Sequence, residues 1–589
     1  MSKGTVRRKL RDSAPAAPPV QFYIPATSSI LERRPRTLKH GDTFGVFDHY
    51  GNVFAGEGSP EGIFHKDTRY VSDLCMLVNG RRPLLLSSTV QDNNGALTVD
   101  LTNPDFIVRG RIELPRDTIH IARSKFLWQA GCYERFGIRN FTPDAQEIEI
   151  TFHFGADFAD IFEVRGHARS RRGETRTRVA GSEVAYAYQG LDGIERRTVF
   201  RFDHAPDELD EEGALFRLDL PPGGRKSLFL TVSCEEGADK REQPRRFLVC
   251  MREARRALRA STARAAAAET SNDILNEVLC RSMADLYMLL TDTEQGAFPY
   301  AGIPWFSTAF GRDALVTAME MLWVDPAIAK GALQFLAARQ ATERKPEADS
   351  EPGKILHEMR AGEMARLGEV PFALYYGSVD STPLFVVLAG MYLERTGDLR
   401  TIGRLWPSIQ AALRWMDEYG DRDGDGFVEY AREGGSGLVN QGWKDSVDAV
   451  FHADGAYAEG PVALCEVQGY VYAAKRHAAK MAAALGRWEL ATTLDLQADA
   501  LKAAFEEAFW CEEIGTYALA LDGRKRQCKV RSSNAGQVLF SGIAAPERAQ
   551  AVADQLLGHE FFTGWGIRGL PLTLFPYTTL FRSRSESVV

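Results

Sequence analysis

The 589-residue sequence predicts an antiparallel β-sandwich followed by an all-α toroid of helical hairpins. Three observations point there. Short apolar/polar alternation runs from about residue 40 to 235, the apolar spacing switches near residue 240 to every third or fourth position, and long loops separate the helical segments that follow.

In the first half, Ile148, Ile150, Phe152 and Phe154 alternate with Glu147, Glu149, Thr151 and His153. Phe216, Leu218 and Leu220 alternate with Arg217 and Asp219 before the Pro221-Pro222-Gly223-Gly224 turn. Val78-Asn79-Gly80-Arg81 and Asp92-Asn93-Asn94-Gly95 carry the Asn-Gly chemistry of tight hairpins, because both residues tolerate positive φ. Phe247 to Ala268, rich in Arg and Ala, reads as a linking helix. Helical spacing then recurs over 271–292, 312–323, 327–342, 379–396, 400–419, 460–485, 488–509 and 534–557. The expected organisation is a disordered tail at 1–20, a β-sandwich at 21–238, a linking helix within 239–268, a helical domain at 269–568 and a final tail at 569–589.

Composition narrows the function. Lys plus Arg number 71 against 79 Asp plus Glu, a formal charge of −8 spread along the chain, so no electrostatic footprint for nucleic acid is present. Eight cysteines without a C-x-x-C pair fit a reducing compartment and indicate neither a zinc ribbon nor a disulfide framework. No run of about 18 apolar residues and no secretory leader are found, so the expectation is a cytoplasmic protein without a membrane partner. Phosphate-loop, dinucleotide and serine-elbow motifs are absent.

The loops at 293–311, 345–378, 421–459 and 511–533 hold most of the residues suited to chemistry. In Gly302 to Asp313, Trp305 and Phe306 offer faces for a pyranose ring, and Arg312 and Asp313 offer donors and acceptors for its hydroxyls; a helix-start Asp paired with its neighbouring Arg is the plainer alternative. In Asn440 to Asp448, Asp445 beside Trp443 and a Gly-flanked turn suits a carboxyl held protonated by an apolar wall, or else a helix N-cap. Asp421 to Glu429 starts like a calcium loop but has Arg432 at the twelfth position, which favours an Asx turn. His357-Glu358-Met359-Arg360 lacks the second His of a zinc helix; Glu358 and Arg360 meet sugar hydroxyls or form a surface ion pair. No metal site is expected from these residues.

These residues resemble a family. Gly45 to Gly51, Gly62 to Tyr70, Val78 to Arg81 and Val99 to Pro104 look like the N-terminal β domain of bacterial glycogen-debranching-type enzymes, the amylo-α-1,6-glucosidases. Gly302 to Asp313 and Asn440 to Asp448 are similar to their (α/α)6 glycoside hydrolase domain. The resemblance implies an inverting hydrolase of α-glucosidic bonds in an α-glucan or oligosaccharide, with Asp445 as general acid and Arg312 and Asp313 on the sugar. Trp305, Phe306, Glu358, Asn440, Gln441, Trp443 and Lys444 are the further expected substrate contacts. Rival readings are a phosphorylase of the same fold and a non-catalytic glucan-binding protein. The pattern departs after Arg568, where relatives continue into a Trp-Pro motif and the last helices that carry the general base. Residues 569–589 instead resemble translated adapter read-through, so the expectation is a toroid incomplete at its C-terminal end, without its base, unstable and with little turnover.

Overall fold

The computed structural model describes residues 35–56, 58–237, 246–435 and 437–572; the expected tail at 1–20 and most of that at 569–589 lie outside them. The alternating segments form two antiparallel sheets packed face to face. The larger has eight strands in the order Glu174–Ala180, Glu183–Gln189, Glu195–Phe202, Arg225–Glu236, Gly131–Asn140, Ile119–Trp128, Leu97–Thr102 and Leu84–Val90. The smaller has five, with Gln146–Gly155 between Gly213–Leu220 and Asp73–Val78. Period two sends Ile148, Ile150, Phe152 and Phe154 inward, where they meet Phe136, Phe200 and Phe202 in one core. The expected Asn79-Gly80 turn has both residues at positive φ (43° and 70°), and Val78 and Arg81 exchange backbone hydrogen bonds across it.

A third sheet of four strands, Arg36–His40, Thr43–Phe47, Gly62–His65 and Thr68–Val71, was not separable from the sandwich by its pattern. Phe44, Val46 and Phe64 from it join Ile161 and Phe162 in an apolar cluster with Met364, Phe372 and Tyr375 of the helical half. The two halves therefore share a core. Polar ties flank it: Lys39 Nζ donates to Thr291 Oγ1 (2.8 Å), Tyr300 OH to Asp42 (2.6 Å), and Arg169 pairs with Glu363 (2.8 Å).

The linking helix α1 is Phe247–Thr262, shorter than its alanine content predicts, because Ala266 N–H turns away to donate to Val324 O. Nine helices of eight or more residues follow among the described residues: α2 Asp273–Leu289, α3 Gly311–Glu320, α4 Pro326–Ala337, α5 Ser381–Thr396, α6 Leu399–Trp415, α7 Cys465–Ala484, α8 Trp488–Ala508, α9 Asn534–Ser541 and α10 Pro546–Leu557. The single helix expected at 534–557 is two, since Gly542 takes the left-handed conformation (φ 75°) and Pro546 starts the next helix. Helices α3, α5, α7 and α9 pack successively side by side as an inner layer, and α4, α6, α8 and α10 lie outside them. Alanines 474, 478 and 482 of α7 and Ala329 and Ala332 of α4 are buried, which lets these helices approach closely. No helix of the described residues is long and apolar enough to cross a membrane.

Helix α2 is held at its C-terminal end, where Met283, Leu286 and Tyr287 join the core, while Ile274 (74% exposed), Leu275 and Val278 face solvent. Residues 569–572, at the start of the final tail, are bonded to the helical half through Gly569 O, which accepts from Ser533 N–H and Lys444 Nζ. Replacing Ile274 and Val278 together by Glu should leave the unfolding free energy within about 0.5 kcal/mol while lowering dye binding and self-association. Leu333→Ala, inside α4, should cost about 2–5 kcal/mol. Urea unfolding with light scattering checks both; a loss at Ile274/Val278 as large as that at Leu333 would mean that this face of α2 is packed.

Candidate active site

The N-termini of the inner helices converge, and each brings a polar side chain. Arg312 is the second residue of α3, Asp380 immediately precedes α5, Glu466 is the second residue of α7 and Asn534 begins α9. Helix N-termini leave backbone N–H groups without intrahelical partners, so this end of the layer is rich in donors.

Arg312 sits here because α3 starts straight from a strand. Ala309–Phe310 pairs with Glu358–Met359, and Gly311 N–H donates to His357 O at 2.9 Å. A Cβ on Gly311 would lie 1.8 Å from Leu356 O, so only glycine allows this approach. The Arg312 guanidinium then meets Asp380 (Nη1 to Oδ2, 3.2 Å) and Asp445 (Nη2 to Oδ2, 3.8 Å). The alternative reading, a pair with its neighbour Asp313, is not what forms; Asp313 is a first-turn acid of α3 near enough to act electrostatically. Despite burial, the surrounding carboxylates raise the Arg312 pKa, with Asp380 the strongest of them.

Residues 440–448 form a succession of turns, and no helix opens at Asp445. Asn440 fastens this loop: its Oδ1 accepts from Tyr430 OH (2.7 Å) and its Nδ2 donates to Ser446 O (2.7 Å). Asp445 stands out on the loop with 48% of its side chain exposed. The surrounding protein still desolvates it enough to raise its pKa, with Arg312 opposing. Gln441 is buried, its Nε2 has no hydrogen-bond partner among the described residues, and the same holds for the indole Nε1 of Trp443. Lys444 lies against the Trp443 ring (4.8 Å), and burial lowers its pKa to about 8, with Glu466 opposing. Glu466 is wholly enclosed; Asn534 Nδ2 donates to it at 2.9 Å, and burial raises its pKa to about 7.

The segment leading into α3 carries the aromatics. Phe306 is 44% exposed and lies edge-on to Phe310 at 5.9 Å, while Trp305 is half-buried against the shared core of the two halves. Glu358 and Arg360 do pair (2.6 Å), but the pair is buried and not on the surface. Burial raises the Glu358 pKa, Arg360 opposing.

Sequence reasoning missed Asp380, Glu466 and Asn534. Their common signal is a polar residue at the start of every second predicted helix, visible only once the inner layer is known. The Asp421–Glu429 loop contains the expected Asx turn at Asp425, which accepts from Phe427 N–H (2.9 Å), and Asp421 accepts from Gly424 N–H (2.8 Å) and Gly426 N–H (3.0 Å). The carboxylates of Asp421, Asp423 and Asp425 lie within 4.8 Å of one another, and Lys525 supplies a positive charge there, with Nζ 3.0 Å from Asp423 and 2.6 Å from Asp425.

Glu466 makes a pH prediction. Its folded pKa exceeds its unfolded one, so the folded state keeps a proton that the unfolded state has lost between about pH 4.5 and 7. Its contribution is full below pH 4.5 and declines as pH rises to about 7, at up to roughly 1.4 kcal/mol per pH unit. Glu466→Gln should flatten that part of the curve in urea titrations, and an unchanged slope would assign it to other groups.

Comparison with known proteins agrees with this architecture. Residues 38–231 match the family described as the N-terminal domain of (some) glycogen debranching enzymes, and residues 308–573 match the mannosylglycerate hydrolase MGH1-like glycoside hydrolase domain. A structure described as a kojibiose phosphorylase from the human microbiome is similar with a TM-score of 0.52 at 10% identity, over 82% of this chain and 69% of that one. A bacterial glucoamylase complexed with acarbose is similar with a TM-score of 0.51 at 8% identity, over 89% and 82%. No curated protein matches in sequence. The two matched segments coincide with the β half and the helical half described above, and the helical half has the (α/α)6 fold of the glucoamylase structure.

Proposed function

We propose that this protein cleaves α-glucosidic bonds of an α-glucan or oligosaccharide, in the manner of a glycogen-debranching amylo-α-1,6-glucosidase, with Asp445 as general acid. The observation that carries this reading is the placement of Asp445: a carboxyl of raised pKa, open to solvent, 3.8 Å from a buried Arg312 at the converging N-termini. A general acid must hold its proton near neutrality and must reach the glycosidic oxygen. Asp380 and Glu466 are enclosed and bonded within the protein, which suits them to hold the site and not to touch a sugar.

In this reading Asp445 protonates the leaving oxygen as the C1–O bond breaks. Arg312, held by Asp380, presents its remaining N–H groups to sugar hydroxyls beside Asp313. Phe306, Trp305 and Trp443 face the apolar side of the rings, and Gln441 and Lys444 offer donors to hydroxyls. Asn440 acts by shaping the acid loop, and Glu358 by way of Arg360. Inversion requires a second carboxylate, about 6.5–9.5 Å from the acid, that activates water on the opposite face. Neither enclosed carboxylate reaches water, so the base is assigned to neither. No cofactor enters the scheme, and a reducing, cytoplasmic setting fits the free cysteines.

The likeness to a phosphorylase keeps a second reading in view, in which phosphate replaces water as the nucleophile. Release of sugar from α-1,6- and α-1,4-linked oligosaccharides and from mannosylglycerate, with and without phosphate, separates the readings. Proton NMR of the first-formed anomer reports inversion. Asp445→Asn should lower kcat by about 10²–10⁴-fold while binding changes little. Turnover that survives this change would remove Asp445 from the mechanism, and phosphate-dependent loss of substrate would favour the phosphorylase.

A further inference from the structure

The β half makes a buried polar contact with the segments that carry Trp305, Glu358 and Arg360. The strands Gly62–His65 and Thr68–Val71 are joined by Lys66 and Asp67, both at positive φ (47° and 62°), a tight turn that projects the Asp67 carboxylate outward. Asp67 Oδ1 accepts from Arg360 Nη1 at 2.9 Å, and Oδ2 accepts from Ala361 N–H at 2.8 Å. The same guanidinium donates from Nε to Glu358 Oε1 (2.6 Å) and from Nη2 to Trp305 O (2.8 Å). Arg360 has 1% of its side chain exposed and Asp67 5%, so no solvent competes for these bonds. Glu358 pairs in turn with Phe310, two residues before Arg312. Arg165, also from the β half, lies over the Phe306 ring at 5.8 Å.

From this arrangement we infer that Asp67 is a positioning residue of the substrate cleft: it fixes Arg360, which sets the Glu358 carboxylate and the Trp305 backbone, so the β half is part of the sugar site and not only a brace for the helices. A single guanidinium spans three acceptors on three segments, and its planar fork fixes their relative positions. Without the Asp67 charge, Arg360 keeps only Glu358 and a carbonyl, and the Trp305 loop loses its polar link to the β half through Arg360.

The inference rests on the proposed sugar-binding role of the Trp305 wall, so the test has one readout that needs no ligand. In Asp67→Asn, amide exchange of residues 303–311 and 357–361 should quicken by about tenfold or more while the sandwich strands stay protected. The dissociation constant for maltotriose, read from tryptophan fluorescence, should rise by about tenfold. Lys66→Ala, which breaks the neighbouring Lys66–Glu236 pair (2.8 Å) on the same turn, should change neither. If Asp67→Asn does not fold, Arg360→Lys, which keeps a cation but loses the fork, takes its place with the same expectations. Unchanged exchange and affinity, or a lower melting temperature with both unchanged, would overturn the inference. Wild-type protein that binds no maltotriose would end the α-glucan reading alone, and the exchange result would still decide the role of Asp67.

Discussion

Arg312 is a cation with only 14% of its side chain exposed, and much of the site follows from what it takes to keep it there. An enclosed guanidinium needs counter-charge from groups that cannot move away, since an uncompensated buried charge costs several kcal/mol. Asp380 meets that need from the start of α5, and Ser378 Oγ donates to Asp380 (2.6 Å), which fixes its rotamer. The pair therefore ties the first two inner helices at their N-termini. The residual positive field falls on Asp313 within α3 and on Asp445, and the reach to Asp445 makes the turn loop at 440–448 part of the site.

The same logic explains what was legible in the sequence. Alternation and helical spacing are local signals, so the sandwich, the order of helices and the Asn79-Gly80 turn could be read directly. Arg312 and Asp445 were legible because each lies in or directly after a loop crowded with Trp, Gly and charge. Asp380 and Glu466 were not, because one acid at a helix start looks like any dipole-compensating residue. Their meaning comes from convergence of α3, α5, α7 and α9, which is long-range geometry. The break at Gly542-Pro546 was visible as residues but was overridden by the apolar spacing on either side. Glu358 and Arg360 were seen as a pair, whereas the buried Arg360 also bonds Asp67, nearly 300 positions earlier.

That distance in sequence follows from how the two halves pack. The four-stranded sheet gives its apolar face to Met364, Phe372 and Tyr375, which would otherwise lie bare on the helical half. Once that core forms, polar groups at its edge are shut off from water and must pair. Asp160 accepts from Met364 N–H (3.1 Å), Glu363 pairs with Arg169, and Asp67 with Arg360. Hydrophobic burial brings the halves together, and the buried polar bonds then permit one register, because a shifted contact would leave several of them unmet.

Exposure, finally, sorts the carboxylates by what each can do. Burial raises the pKa of Glu358, Asp445 and Glu466, so a shifted pKa does not by itself mark the proton donor. Glu358 has its burial countered by Arg360, and Glu466 is closed in by Asn534 and the α7 start; both have traded access for fixed bonds. Asp445 combines a raised pKa with a side chain half open to solvent and a fixed cation beside it. Proton transfer to a sugar oxygen requires contact as well as a suitable pKa. Of the three, only Asp445 meets both conditions, and it does so because its loop is pinned by Asn440 while its own carboxyl is left unburied.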